Sequence, residues 1–325
     1  MSKSIKILFN WFLGPVFFII LSWSLYKQIM AQPDLESRWL QIKDSVQAPA
    51  LWLSCVLMLL NWGIEALKWQ IQLAPLQKLS FANAYKSVLA GCSITMLTPN
   101  RVGEYGGRIL YVSENNRIDA IPLTILGSIS QLFVTLFIGM LALLSFVCNS
   151  TNTLHFKFMP TYSIEILLYV SISATVFFML LYFRVGLLVN FLSKISFLKK
   201  YASHFQLLHS FSRKQLLRIL FLSFLRYSVF ILQYILLLQV MNVQLSFFLG
   251  FKLLAIFYLL MAVAPTIGIT ELPTRAIIGV EILQLYSSNI IGIQVAFFAI
   301  FIINLVIPAI AGSLLIIGVK ILKEK

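Results

Sequence analysis

Long apolar runs separated by short polar links make up most of the 325-residue chain. A helix of about 20 apolar residues is long enough to cross the hydrocarbon core of a bilayer, where it satisfies its own backbone hydrogen bonds. The pattern therefore predicts an all-α, polytopic transmembrane helix bundle that forms a single integral membrane domain over residues 1–325. The predicted spans are 8–27, 49–69, 120–147, 163–183, 215–240 and 290–319.

Two further apolar segments, 81–116 and 247–286, are each interrupted by a proline. Pro99 and Pro265 lack a backbone N–H, so each ends the helix that precedes it. Residues 81–97 are short for a full span and rich in small residues, which suit a helix packed closely inside protein. We expect both segments to form broken, re-entrant hairpins, in which one short helix stops near the proline and a second one follows.

The distribution of charge predicts opposite orientations for these hairpins. Segment 184–214 carries six basic residues and no acidic one, which predicts a cytoplasmic loop, and Val185–Leu198 within it could form an interfacial amphipathic helix. With this loop inside, both termini and the 68–80 link also face the cytoplasm. The number of spans agrees with these orientations only if each hairpin enters and leaves on the same side of the membrane. Hairpin 81–116 would then enter and leave from the cytoplasmic side, and hairpin 247–286 from the outer side. Opposed hairpins of this kind are what an inverted repeat would produce.

Composition excludes a soluble globular protein, because 60% of the residues are hydrophobic and only 11% are charged, against about a quarter in soluble domains. A formal net charge of +14 can indicate nucleic-acid binding. In a membrane protein it is better explained by basic cytoplasmic loops and attraction to anionic headgroups. The three cysteines and three histidines are scattered without the spacing of metal ligands. We therefore expect no metal, no cofactor and no nucleic-acid partner.

The two breaks share a pattern in which a glutamate is followed four residues later by an arginine. The pairs are Glu104–Arg108 after Pro99 and Glu271–Arg275 after Pro265. Residues at i and i+4 lie on one helix face, so each pair can form an ion pair. Charged side chains are costly inside a membrane, and a cluster of them there indicates a functional site. The alternative is that each pair only satisfies itself across a helix packing contact.

The helix starts at the breaks also offer unsatisfied N–H groups, which favour a bound phosphate. We expect Arg101, Arg108 and Arg275 to contact that phosphate, since arginine binds phosphate through paired hydrogen bonds. Glu104 and Glu271 would hold these arginines or meet a cationic headgroup. The expected structural residues of the breaks are Pro99, Gly103, Gly107, Pro265 and Gly268.

Other charged residues also lie in the predicted spans. Arg226 is expected to face the inside of the bundle, because a charge in a span rarely faces lipid. Glu65 and Lys68 are three residues apart and could pair, but we interpret them together with Trp62 and Trp69 as an interfacial border with a snorkelling lysine.

At the two breaks the sequence resembles the lysylphosphatidylglycerol synthase transmembrane-region family, a flippase-like domain that occurs alone or fused to other enzymes. The shared residues are Pro99, Arg101, Gly103 and Glu104 at the first break and Pro265, Gly268 and Glu271 at the second. The second element is shorter here and lacks the family's Gly pair, and Gly106-Gly107 before Arg108 is also unlike the family pattern. The length and the span pattern resemble the family over most of the chain.

The resemblance implies a stand-alone carrier that moves a charged lipid between leaflets. Together with the expected phosphate site, it leads us to expect a protein of the bacterial inner membrane that binds and translocates a phosphate-bearing lipid, anionic or zwitterionic. The aminoacyl-transfer domain of the fused members is not in this sequence, so we expect that the chain is not an enzyme that makes lysyl lipid. One alternative is a membrane-embedded transferase acting on polyprenyl-phosphate sugars, with Glu104 or Glu271 as the base. The other is a non-transporting accessory subunit that binds envelope-biogenesis enzymes through its basic loop.

Overall fold

The computed structural model describes residues 49–96, 103–148, 162–184, 202–264 and 268–317, together with a few single positions. The predicted first span and the amphipathic segment Val185–Leu198 lie almost entirely outside the described residues. Pro99, Arg101 and Pro265 also lie outside them.

Within the described ranges every regular element is helical. The first half contains α1 (Pro49–Leu73), α2 (Phe81–Thr95), α3 (Gly103–Ile109), α4 (Arg117–Val147) and α5 (Tyr162–Phe183). The second half contains α6 (Ala202–Phe205), α7 (Arg213–Val240), α8 (Phe247–Val263), α9 (Gly268–Leu283), α10 (Ile290–Phe301) and α11 (Ile307–Ile317). A 3₁₀ turn precedes α4, another follows α6, and a π-helical turn at Ile302–Val306 joins α10 to α11.

Five of the described helices are long and apolar enough to cross a membrane. They are α1, α4 with its preceding turn, α5, α7 and the continuous rod from α10 to α11. The chain is therefore a multi-pass membrane protein with an all-α described part, as the sequence predicts. The predicted spans from 49–69 onward are confirmed, although α1 extends four residues further, to Leu73.

Helices α1, α4 and α7 pack against one another and form the centre of the bundle. Helix α2 lies between α1 and α11, and α8 packs against α4, α7 and α9. Helix α5 packs mainly on α4 and leaves many large apolar side chains exposed, as a lipid-facing helix does. This arrangement brings α1, α7 and the α2–α3 segment together around one interior region.

The segment predicted as the first broken hairpin contains two short helices that touch closely. Helix α2 has 15 residues and is thus about 22 Å long, which is less than the hydrocarbon thickness of about 30 Å. A Cβ atom added to Gly107 would lie 2.4 Å from the carbonyl oxygen of Ala90 and from the Cα atom of Gly91. One added to Gly103 would lie 2.4 Å from the carbonyl oxygen of Ile94. These glycines allow α3 to pack directly on the backbone of α2.

The second helices of both predicted hairpins end earlier than expected. Helix α3 ends at Ile109 instead of near residue 116, because the N–H groups of Leu110 and Val112 bond to carbonyl groups three residues back. The chain that follows is held by Gln77, whose side-chain oxygen accepts from the N–H of Ser113 at 3.1 Å. Helix α9 ends at Leu283, three residues before the predicted end at 286.

Candidate functional site

One face of α1 is polar and faces the inside of the bundle. Its polar residues recur at intervals of three, four or seven and so share that face: Ser54, Asn61, Glu65, Lys68 and Gln72. All five are buried, whereas the exposed large residues of α1 are apolar: Trp52, Leu53, Val56, Leu59, Leu60 and Leu67. From the first polar residue to the last, the face extends about 27 Å along the helix. The polarity of α1 is thus the reverse of that of a helix in a soluble protein.

Glu65 is the centre of a buried group of charges. Its Oε1 accepts a hydrogen bond from a terminal nitrogen of Arg108 at 2.5 Å. Its Oε2 contacts Lys68 Nζ at 2.8 Å and accepts from a terminal nitrogen of Arg226 at 2.9 Å. The same Arg108 nitrogen also pairs with Glu104 on its own helix. We call Glu65, Lys68, Glu104, Arg108 and Arg226 the charge cluster.

The charge cluster is almost completely shielded from solvent. The side chains of Glu65, Lys68 and Arg108 are each 2% exposed, and that of Arg226 is 7% exposed. Glu104, at 19%, is the only member with appreciable exposure. An unpaired charge in such surroundings is very costly, so mutual pairing is what allows these five groups to lie inside a membrane protein.

Neutral and aromatic groups hold the two cluster arginines in place. Arg226 Nε donates to Asn61 Oδ1 at 3.1 Å, and its guanidinium lies 5.1 Å from the ring centre of Trp62. The guanidinium of Arg108 lies 5.5 Å from the ring centre of Trp69. Such cation–π contacts are strongest where the cation is desolvated, as it is here. Both arginines are therefore fixed from several sides.

Lys68 has fewer groups that position it than the two arginines have. Apart from Glu65, its Nζ donates only to Ser223 Oγ, at 3.4 Å, among the described residues. The hydroxyl of Ser223 is in turn 2.7 Å from that of Ser130 on α4. Lys68 therefore adds a positive charge to the cluster at the contact between α1, α4 and α7.

The interpretation of Glu65, Lys68, Trp62 and Trp69 as a membrane border is wrong. All four are buried inside the bundle, with exposures of 2% or less. The regular spacing of polar residues along α1 was the signal that could have identified an inward face. No local sequence signal indicates that Arg108 and Arg226 bind the same carboxylate, because these arginines lie 43 and 161 positions from Glu65.

The second Glu–Arg pair forms on α9. Arg275 donates from Nε and from a terminal nitrogen to Glu271 Oε1, at 3.1 and 2.7 Å. Its other terminal nitrogen is 3.4 Å from the hydroxyl oxygen of Tyr234. Tyr234 is fully buried and lies on α7, eight residues after Arg226, which corresponds to about 12 Å along the helix. Helix α7 thus contacts both the charge cluster and this second pair.

The structure therefore brings Glu104 and Arg108 together with Arg226, and it adds Glu65 and Lys68 to them. Glu271 and Arg275 form a separate pair. Gly268 is the first residue of α9. Within the described ranges no group of three or more His, Cys, Asp or Glu side chains could hold a metal ion.

Comparison with known protein families matches residues 11–272 of the chain to the lysylphosphatidylglycerol synthase TM region. The chain belongs to this family. The matched residues include the whole charge cluster and Glu271, and the match ends three residues before Arg275. No curated protein and no solved structure matches the chain. Membership in the lysylphosphatidylglycerol synthase TM family agrees with the resemblance seen at the two breaks.

Proposed function

We propose that the protein moves a phosphate-bearing lipid between the leaflets of the bacterial inner membrane. The charge cluster carries this proposal, because three cations and the Glu65 carboxylate lie buried, together with the partly exposed Glu104, among described helices that expose many large apolar side chains. Ionisable groups in such positions line substrate pathways in membrane proteins. Family membership supports a role in lipid handling but does not by itself define the substrate.

In the proposed cycle the Glu65 carboxylate stands where the lipid phosphate binds. Both groups present negatively charged oxygens, and arginine binds either through charge-assisted hydrogen bonds. Arg108 lies on the seven-residue helix α3, which packs on the backbone of α2 through glycine contacts. Movement of α3 would transfer Arg108 from Glu65 to the phosphate, while Arg226 remains fixed by Asn61.

The orientation of the two broken segments belongs to the same proposal. We propose that 81–116 and 247–286 are opposed re-entrant hairpins, related as an inverted repeat, with both termini in the cytoplasm. Support comes from the matching Glu–Arg pairs on α3 and α9, each on the second helix of its segment. Inverted repeats place their binding site at the contact between the two halves.

We further propose that the chain acts as a carrier and not as an enzyme. A general base must be able to take up a proton. Glu65, Glu104 and Glu271 each form an ion pair with an arginine, so an oxygen of each carboxylate that would take up the proton already accepts from a cation. This pairing suits binding and gating better than the base of a polyprenyl-phosphate sugar transferase.

A transport assay tests the proposal. Purified protein is reconstituted in liposomes that contain trace fluorescent phospholipid, and the fraction of label reached by an external quencher is followed over time. We expect wild type to expose inner-leaflet label faster than empty liposomes do. Arg108→Met removes a charged hydrogen-bond donor worth about 1.5–3 kcal/mol, which should slow transport roughly tenfold to a hundredfold.

The matched control is Arg218→Met, which removes an exposed arginine from α7. It should transport at the wild-type rate. Wild type that moves no fluorescent phospholipid faster than empty liposomes would contradict the proposed function. A folded Arg108→Met protein with the wild-type rate would show that the charge cluster does not contact the lipid.

A further inference from the structure

The formal positive and negative charges of the charge cluster do not cancel. Lys68, Arg108 and Arg226 contribute three formal positive charges, and Glu65 and Glu104 contribute two negative ones. The described cluster therefore has a formal charge of +1. The separate Glu271–Arg275 pair is different, because its two residues contribute one charge of each sign.

The hydrogen bonds of the cluster are unbalanced in the same direction. Both oxygens of Glu65 are occupied, one by Arg108 and the other by Lys68 and Arg226. In contrast, the buried Nε of Arg108 has no hydrogen-bond partner among the described residues. Lysine has three N–H donors, and Lys68 makes two polar contacts in the described part of the chain. Donors remain in the cluster, whereas each oxygen of its central carboxylate already accepts from at least one cation.

From this imbalance we infer that the transported lipid is anionic, with a phosphate as the charged group of its headgroup and no amine. This inference rests on the proposed function and selects one of the two substrate classes that it allows. A monoanionic lipid would neutralise the excess charge and accept from the remaining donors. A zwitterionic lipid brings no net charge, and its ammonium group would compete with three cations for the same carboxylate.

The structure assigns the selectivity to Lys68. Arg108 and Arg226 each have a second polar partner in the cluster region and an aromatic ring that position them. Lys68 supplies the third positive charge, and its other described partner is the neutral Ser223. Replacement of Lys68 by methionine lowers the formal cluster charge to zero and leaves Glu65 bonded to both arginines. Lys68 is thus a specificity-determining residue whose charge can be removed with the ion pairs around it intact.

The test compares transport of fluorescent phosphatidylglycerol, phosphatidylethanolamine and phosphatidylcholine by the reconstituted protein. Wild type should move phosphatidylglycerol at least about tenfold faster than either zwitterionic lipid, a ratio that corresponds to about 1.4 kcal/mol. In Lys68→Met this ratio should fall to about threefold or less, since the charge that distinguishes the lipids is gone. The control Lys86→Met removes an exposed lysine from α2 and should keep the wild-type ratio.

The outcomes separate this inference from the proposed function. Transport of none of the three lipids would contradict the proposed function itself. Equal wild-type rates for the three lipids would leave transport intact and overturn the inference that the substrate is anionic. A folded Lys68→Met protein that keeps the tenfold ratio would overturn the assignment to Lys68.

A second measurement does not depend on the variant. Wild-type protein purified from a bilayer with equal amounts of phosphatidylglycerol and phosphatidylethanolamine should retain mainly the anionic lipid in native mass spectrometry. Retention of both lipids in equal amounts would contradict the inference even if Lys68→Met does not fold.

Discussion

Glu65 shows how a single carboxylate can join three helices inside a membrane protein. It lies on α1, and its cationic partners lie on α1, α3 and α7. Removal of one partner of a buried ion pair is more damaging than replacement of both partners by apolar residues, because the remaining charge is left without compensation. The stability of the cluster should therefore depend on its charge balance more than on any single side chain.

Glu65→Gln should strongly destabilise the protein. The change leaves Lys68, Arg108 and Arg226 with Glu104 as the one remaining carboxylate of the cluster, at an expected cost of about 3–5 kcal/mol. The measurement is the melting temperature in detergent, followed by intrinsic tryptophan fluorescence. The exposed Glu165→Gln on α5 serves as the matched control and should melt within a degree or two of wild type.

The double variant Glu65→Gln/Lys68→Met tests whether charge balance is the cause. It removes one charge of each sign, so it should be less destabilised than the sum of its two single variants, with a coupling of about 0.5–3 kcal/mol. Additive effects would indicate that packing around Glu65, and not its charge, accounts for the loss of stability.

At the scale of elements, the contact between α2 and α3 depends on positions without side chains. Gly103 and Gly107 lie directly against the α2 backbone, and Gly91 on α2 faces the carbonyl group of Glu104. This contact places Arg108 next to α1, within reach of Glu65. A short helix of seven residues could not hold that position by its own hydrogen bonds, since isolated helices of this length are unstable.

Neighbouring glycines on α3 offer a matched pair of substitutions. Gly107→Ala places a Cβ atom 2.4 Å from α2 backbone atoms and should destabilise the protein by about 1–3 kcal/mol through forced separation of the helices. Gly106→Ala meets nothing within 4 Å and should be neutral or stabilising by up to about 1 kcal/mol, because alanine favours helix. Melting temperatures and transport rates of the two variants measure the difference. Equal effects of the two substitutions would show that the close contact does not hold α3.

The π-helical turn between α10 and α11 is a second element with a local role. It contains Asn304, whose Oδ1 accepts from Asn61 Nδ2 at 3.5 Å. Asn61 in turn accepts from Arg226. Turns of this kind are frequent at functional sites, where they redirect a side chain. Here the turn connects the last long helix to the group that positions a cluster arginine.

At the scale of the whole molecule, the described helices bury the polar face of α1 and expose many large apolar side chains. The exposed faces of α1 and α5 are dominated by large apolar side chains, whereas α1 buries its charged and amide groups against α4 and α7. Because lipid tails do not hydrate polar groups, the polar atoms of the chain must find their partners inside the bundle. Helix α7 connects the two Glu–Arg sites, so motion of this helix would affect both of them.

The proposed opposite orientation of the two hairpins predicts which links are reached from each side of the membrane. Single cysteines at Lys78 and Asn115 should be labelled by a membrane-impermeant maleimide only after permeabilisation of spheroplasts. Single cysteines at Gln244 and Ser288 should be labelled in intact spheroplasts. The background variant replaces the native cysteines by serine: Cys55, Cys92 and Cys148. Labelling of Lys78→Cys and Asn115→Cys from opposite sides would mean that segment 81–116 crosses the membrane and is not re-entrant.

Local sequence was sufficient for the helical class, most spans and the two Glu–Arg pairs. A run of apolar residues must form a helix in a bilayer, and residues four apart on a helix face each other, so neither prediction requires distant contacts. The family could be recognised for a similar reason, because its motifs are short and contiguous. The Glu104–Arg108 and Glu271–Arg275 pairs accordingly form within single helices.

Tertiary structure alone decided which helices cover the polar face of α1 and that Arg108 and Arg226 share one carboxylate. Glu65 and Lys68 beside two tryptophans have the same local pattern at a membrane border and in a buried interface. The difference depends on which helix covers that face, and here α3 and α7 cover it. Since these helices are brought to α1 by the packing of the whole bundle, the charge balance of the site could be counted only once the fold was known.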